Sequence, residues 1–150
     1  MNSFEIIYKI KTASFQALVD HFNKSADSFN PPLYTYVVIK DYARKIFDNA
    51  MTFEAWDDEK LVGLAAVYFN NITEKIAFWT NLSVLTEYRK EGVALKLTSQ
   101  VLDYGKTKCF KRIDLEVKAI NKPIIRFHEF HGAKITGSGK GTLFLSYNLI

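Results

Sequence analysis

The stretch Leu82-Ser83-Val84-Leu85-Thr86-Glu87-Tyr88-Arg89-Lys90-Glu91-Gly92-Val93-Ala94 decides how the rest of the chain is read. It runs from the end of an extended, apolar-rich segment through a short polar loop into Gly92 and Ala94, which open a helical pattern. The first N–H groups of a helix have no acceptor within it, and the dipole is positive there. Small residues at that point let a phosphate approach the backbone, and the pair Arg89-Lys90 adds charge beside it. Residues 89–94 therefore form a candidate anion cradle. An ordinary strand-to-helix connection with a glycine near its N-cap has the same spacing, so the loop alone leaves both readings open.

Outward from this loop, the elements fall into order. On its C-terminal side, Ala94, Leu97, Val101 and Tyr104 recur at helical spacing within residues 92–106. Residues 112–118 (RIDLEVK) read as a strand. A helix is expected over 121–130, with Asn121 as N-cap, Pro123 in the first turn and Gly132 as the stop. Residues 134–136 and 142–149 close the chain as strands. On the N-terminal side, strands are expected over 52–56, 61–69 and 76–84, the first two joined by the short turn Asp57-Asp58-Glu59-Lys60. Before them come helices over 41–50 and through Phe15, Leu18, Val19 and Phe22, the latter capped by Thr12 or Ser14 and ended by residues 28–32, where two prolines adjoin. The first strand is expected over 4–10. The order β-α-α-β-β-β-α-β-α-β-β predicts a single α/β domain with a mixed sheet over residues 1–150.

Composition sets the bounds. A chain of 150 residues, 48% apolar and 24% charged, fits one globular domain. At this length a hydrophobic core needs no disulfide or metal staple. Cys109 is the only cysteine, which excludes an intrachain disulfide and a multi-cysteine zinc site. The opening Met1-Asn2-Ser3-Phe4-Glu5 lacks the basic and apolar regions of a secretory signal, and the longest apolar run, 61–69, is half a membrane span. A cytoplasmic protein with no membrane partner is the expectation. The net charge is 20 − 16 = +4. The basic residues are scattered and match no nucleic-acid-binding motif, so a nucleic-acid partner is not expected.

With the topology in hand, the loop acquires a family. Arg89-x-x-Gly92-x-Ala94, following Leu82-x-Val84, resembles the acyl-CoA-binding motif of the GNAT superfamily of N-acyltransferases. Leu115-Glu116-Val117, then Asn121, then Phe127-His128-Glu129-x-x-Gly132 resembles that family's second block, in its order and at its spacing. The resemblance implies a GNAT-like fold with a mostly antiparallel central sheet flanked by helices. It also implies an acetyl-CoA-dependent N-acetyltransferase with direct transfer to an amine, acetyl-CoA as co-substrate and no metal.

By the same resemblance, the main-chain N–H groups of Arg89, Lys90, Glu91, Gly92, Val93 and Ala94 hold the pyrophosphate. The strand through Leu82 and Val84 splays from its neighbour and pairs with the pantetheine arm. One of its N–H groups polarises the thioester carbonyl, usually a large term in acyl transfer. Asn121 contacts the CoA arm, although helix capping is reason enough for an asparagine there. Glu116 takes the role of general base, against a plain reading as an exposed strand glutamate, because alternation puts it opposite Ile113, Leu115 and Val117. His128 stands where the family has a tyrosine that protonates the departing thiolate. A histidine of ordinary pKa can donate that proton, and it can equally be a hydrogen-bonded, partly buried core residue. Thr86 in place of proline and Ala133 in place of phenylalanine are the other departures. An acyl-CoA-binding or adaptor domain without catalysis is the alternative function.

Two other signals are set aside. Gly137-Ser138-Gly139-Lys140-Gly141-Thr142 imitates the end of a P-loop, but Lys134 stands where its first glycine should be, and the segment reads as a hairpin turn. His128 and His131 have no third partner suited to a metal. His21 and Cys109 read as structural. For the acceptor, Phe29, Pro31, Pro32, Tyr34 and Tyr36 form an aromatic set in the region that walls the family's acceptor site. Tyr68-Phe69-Asn70-Asn71 resembles GNAT proteins of bacterial surface-polysaccharide loci, which implies an amino sugar nucleotide. Amino sugar, peptide amine and small amine all stay open, as does oligomeric state, a homodimer included.

Overall fold

A computed structural model describes residues 5–150. The chain runs β1 (Ile6–Ile10), α1 (Phe15–Ser25), α2 (Ile39–Asn49), β2 (Met51–Asp57), β3 (Lys60–Asn71), β4 (Ile76–Val84), α3 (Val93–Thr107), β5 (Arg112–Lys118), α4 (Lys122–Phe130), β6 (Lys134–Gly139) and β7 (Thr142–Asn148). This is the expected order. The expected first strand began at Phe4, which lies outside the described residues. The strands form one sheet in the order β1-β2-β3-β4-β5-β7-β6, antiparallel throughout except for β4 against β5.

Local chemistry explains the boundaries. Of the two candidate caps of α1, Ser14 is the one used: its hydroxyl accepts from Ala17 N at 3.1 Å. Asn121 occupies the N-cap position of α4, but its side chain makes no capping bond, which corrects the sequence reading. Gly132 has φ +111°, the left-handed turn that ends α4. The hairpin turn between β6 and β7 narrows to Lys140-Gly141, both at positive φ, as a two-residue turn requires. β6 therefore continues to Gly139, beyond the expected end at residue 136.

The sheet carries a core on each face. One gathers Phe53, Val62, Leu97, Val101, Ile113, Leu115 and Leu145 beneath α3 and α4. The other gathers Leu18, Phe22, Leu33, Ile46, Leu64 and Ala66 beneath α1 and α2. α3 presses hard on the sheet at Gly63, where a Cβ would lie 2.6 Å from Val93 Cγ1. Between the two halves the sheet opens. β4 pairs with β5 only from Ile76–Arg112 to Trp79–Leu115, whereas β4 itself runs on to Val84 against β3 alone. The pairing with β3 shifts register at the same level: Ala66 faces Asn81 and Val67 faces Trp79, so Thr80 is an extra residue of β4 and bends that strand there.

Candidate active site

At the open end of β4 the chain builds the cradle. Leu85 N bonds Val62 O at 2.8 Å, and a single 3-10 turn, Thr86–Tyr88, follows. Tyr88 is buried and its hydroxyl donates to the Asp57 carboxylate, anchoring the loop to the β2–β3 hairpin. Arg89 Nε donates to Val84 O at 3.3 Å. Lys90 and Gly92 then take positive φ, +67° and +78°, and turn the chain into α3. From Lys90 to Leu95 no backbone N–H has a backbone acceptor among the described residues, and the first bond of α3 is Lys96 N to Gly92 O at 3.0 Å. Around Gly92 there is open space: a Cβ there would meet nothing within 4 Å. Val93 is the buried anchor that fixes the cradle to the core.

The gap beside the cradle is lined by main chain. Leu85 bonds Val62, so hydrogen-bonded pairs alternate along β3 and β4, and the N–H groups of Leu82 and Val84 point away from β3. They face the side that β5 has left.

The two candidate proton-handling residues lie on opposite faces of this opening. Glu116 on β5 is exposed and paired in register with Phe144 of β7. It lines a cleft of about 480 Å³ with Phe78, Asp114, Thr136, Phe144 and Ser146. Asp114 in that cleft is already engaged, by Arg112 Nε at 3.0 Å and Ser146 Oγ at 2.9 Å. His128 on α4 lies across the sheet and is 2% exposed. Its Nδ1 is 2.6 Å from the hydroxyl of Tyr147 on β7, and its ring stands edge-on to Trp79, centroids 5.1 Å apart. Burial, with His131 nearby, pushes the His128 pKa down to about 4, so the ring is neutral at pH 7. The sequence reading supposed an imidazole of ordinary pKa, but removal from water disfavours the charged form.

A buried polar chain on the α1–α2 face went unread in the sequence. Leu61 O meets His21 Nδ1 at 3.0 Å, His21 Nε2 meets Ser83 Oγ at 2.7 Å, and Ser83 Oγ reaches the Asn81 amide at 2.8 Å. Burial pushes the His21 pKa down to about 4, consistent with its expected structural role. Tyr42 of α2 donates to Thr80 O at 2.8 Å, holding α2 against β4 where β5 departs. Only tertiary packing pairs these residues: Leu61 and Ser83 stand 40 and 62 positions from His21, so no local spacing reveals the chain of bonds. The connection between α1 and α2 overhangs the same face: Lys118 Nζ lies 5.2 Å from the Tyr36 ring centroid, two residues beyond Glu116. Cys109 is exposed just past α3.

Comparison with known proteins agrees with this architecture. The model of the acetyltransferase (GNAT) family matches residues 11–133. No curated protein sequence matches the chain significantly. Among solved structures, a GNAT-family protein from Desulfovibrio desulfuricans superposes with a TM-score of 0.78 at 18% identity, covering 97% of this chain and 100% of that one. The PaiA N-acetyltransferase of Thermoplasma acidophilum, in complex with coenzyme A, gives 0.76 at 15% identity, with 95% and 99% covered. The ribosomal-protein-S18-alanine N-acetyltransferase of Escherichia coli gives 0.75 at 16%, with 95% and 94% covered. These likenesses establish a shared fold. With the matching family model spanning most of its length, the chain belongs to the GNAT family of acetyltransferases.

Proposed function

We propose that the protein is an acetyl-CoA-dependent N-acetyltransferase that moves an acetyl group directly to an amine. The observation that carries this reading is the coincidence of two features: a β4 whose outer edge is unpaired beyond Trp79, and a run of N–H groups free of backbone acceptors at the start of α3. Unsatisfied N–H groups at a helix start suit a pyrophosphate. An open strand edge suits an amide-bearing arm laid along it. Coenzyme A has both parts in that order, and the PaiA structure holds it.

Acetyl-CoA, when bound, supplies the acetyl group as a thioester. The chain's own residues then divide the work. The N–H of Leu82 or Val84 stabilises negative charge developing on the acetyl oxygen. Glu116 accepts the proton that the attacking amine must lose, from the face walled by Tyr36 and the α1–α2 connection. His128 faces the departing sulfur from the other side of the sheet. Asn121, free of a capping bond, is available to the CoA arm. No residue forms a covalent intermediate.

The acceptor class is an amine on an amino sugar, a peptide or a small molecule, and the exposed rings of Tyr34 and Tyr36 offer it a stacking wall. The test is free-thiol release from acetyl-CoA across a panel of amino sugars, peptides and polyamines. Amine-dependent release with an acetylated product is the expected result. Tight acetyl-CoA binding with no turnover on any amine would favour the alternative, an acyl-CoA-binding domain without catalysis.

A further inference from the structure

The contact between Tyr147 and His128 has a direction. A phenol carries one proton and needs an acceptor for it when buried, and Tyr147 is 2% exposed. The one partner of its hydroxyl among the described residues is His128 Nδ1, at 2.6 Å. Had Nδ1 carried the imidazole proton, it would point at the phenol oxygen and leave the phenol's own proton without an acceptor inside the core. The satisfied arrangement has Tyr147 donating and Nδ1 accepting. A neutral imidazole then holds its single proton on Nε2. The neighbouring Trp79 does not compete, because its Nε1 is committed to Asn81 O at 2.8 Å. Nε2 has no protein partner among the described residues.

The charged groups next to His128 on α4 are Arg126 and Glu129, and the titratable group that acts on it is His131, just past the helix end, whose Nδ1 lies 2.7 Å from Phe127 O. Across from it, β7 presents Tyr147 and β4 presents Trp79, neither of them charged. Among the described residues, no carboxylate bonds to His128 or raises its pKa. With the pKa near 4, roughly one ring in a thousand is charged at pH 7.

We infer that Tyr147 is a positioning residue that keeps the proton of His128 on Nε2, so that His128 meets the leaving thiolate as a neutral hydrogen-bond donor. The inference rests on the N-acetyltransferase reading above. As the carbon–sulfur bond breaks, its electron pair goes to sulfur, and the Nε2–H group holds that thiolate without giving up its proton. The amine's proton goes to Glu116 and then to water. The thiolate, whose conjugate acid has a pKa of about 8.5, leaves as it is and equilibrates with solvent after release. Catalysis through this residue thus needs a donor, not an acid.

The test starts on the unliganded wild type, by nitrogen-15 NMR of its histidine rings. The expected result is a neutral His128 with the proton on Nε2 across pH 6 to 8. In Tyr147→Phe the preference for Nε2–H weakens, and kcat falls about tenfold while the acetyl-CoA Kd stays within twofold. His128→Gln, which offers an amide N–H that does not titrate, retains most of the activity that His128→Phe loses. An Nδ1–H tautomer in the wild type, a His128 titration between pH 6 and 8, or a His128→Gln as inactive as His128→Phe would each overturn the inference. A wild type that binds no acetyl-CoA overturns instead the reading on which it rests.

Discussion

Glu54 is wholly buried on β2, and donors surround its carboxylate. One oxygen takes Thr12 Oγ1 at 2.5 Å and Trp56 Nε1 at 3.1 Å; the other takes the N–H groups of Thr12 and Ala13, both at 3.0 Å, and Thr52 Oγ1 at 2.5 Å. These bonds lock the segment between β1 and α1 onto the sheet. Glu54→Gln puts a donor among donors whichever way the amide turns. It should cost about 2–3 kcal/mol, seen as a Tm lower by roughly 4–12 °C, with acetyl-CoA affinity unchanged. Glu116→Gln should do the opposite. Exposed and free of structural bonds, it should leave Tm alone and lower kcat by roughly 100-fold or more, the usual worth of a general base. Steady-state kinetics with acetyl-CoA affinity measured alongside separates the two. Alternation along β5 made the outward face of Glu116 legible in the sequence. The burial of Glu54 was not legible, because a glutamate between Phe53 and Ala55 reads as a solvent-facing strand residue until the donors are seen. The partner of His128 was hidden for a related reason: nothing local joins it to Tyr147, nineteen residues away.

At the scale of elements, the cradle depends on how α3 sits against the sheet. Gly63 of β3 permits that contact, with Val93 Cγ1 2.6 Å and Leu97 Cδ1 3.3 Å from where a Cβ would stand. Gly63→Ala should push the N-terminus of α3 outward, costing about 1–3 kcal/mol as overpacking does, and should weaken acetyl-CoA binding. Gly105→Ala, at the other end of α3, meets mainly the tip of Leu149 at 2.7 Å, which can swing aside. It should be milder and leave acetyl-CoA binding intact. Calorimetric melts and acetyl-CoA titrations of both variants check the contrast, and equal loss of binding in the two would refute it. The helix and strand order was readable because each element carries its own periodicity and stop. The opening between β4 and β5 was expected by resemblance alone. Hydrophobic pattern does not say where two parallel strands part, since Trp79 and Leu82 are both apolar on either side of that point.

The whole molecule carries a pH dependence written by its buried histidines. His21 and His128 are both held near pKa 4 by burial. In the unfolded chain each returns to about 6.5. Between those values the unfolded state binds more protons, so stability is greatest above pH 6.5 and falls as the pH drops toward 4. Each histidine contributes a loss of about 3 kcal/mol over that window. Melting curves from pH 7.5 to 4.5 should show a steep drop in Tm, and His21→Gln should make it shallower. A Tm independent of pH across that range would mean that the two rings are not buried and neutral.

The central claim is that the loop from Arg89 to Ala94 and the open edge of β4 bind an acyl-CoA, and a thermal shift with acetyl-CoA tests it most directly. At a ligand concentration of 100 Kd, binding to the native state alone adds about 2.7 kcal/mol. For a chain of this size that raises Tm by roughly 5–11 °C. Acetyl-CoA should give such a shift, and pantetheine and ADP alone, each filling half of the site, should give less. No shift with acetyl-CoA at millimolar concentration would contradict the account, leaving the Gly92 turn a connection between strand and helix and nothing more.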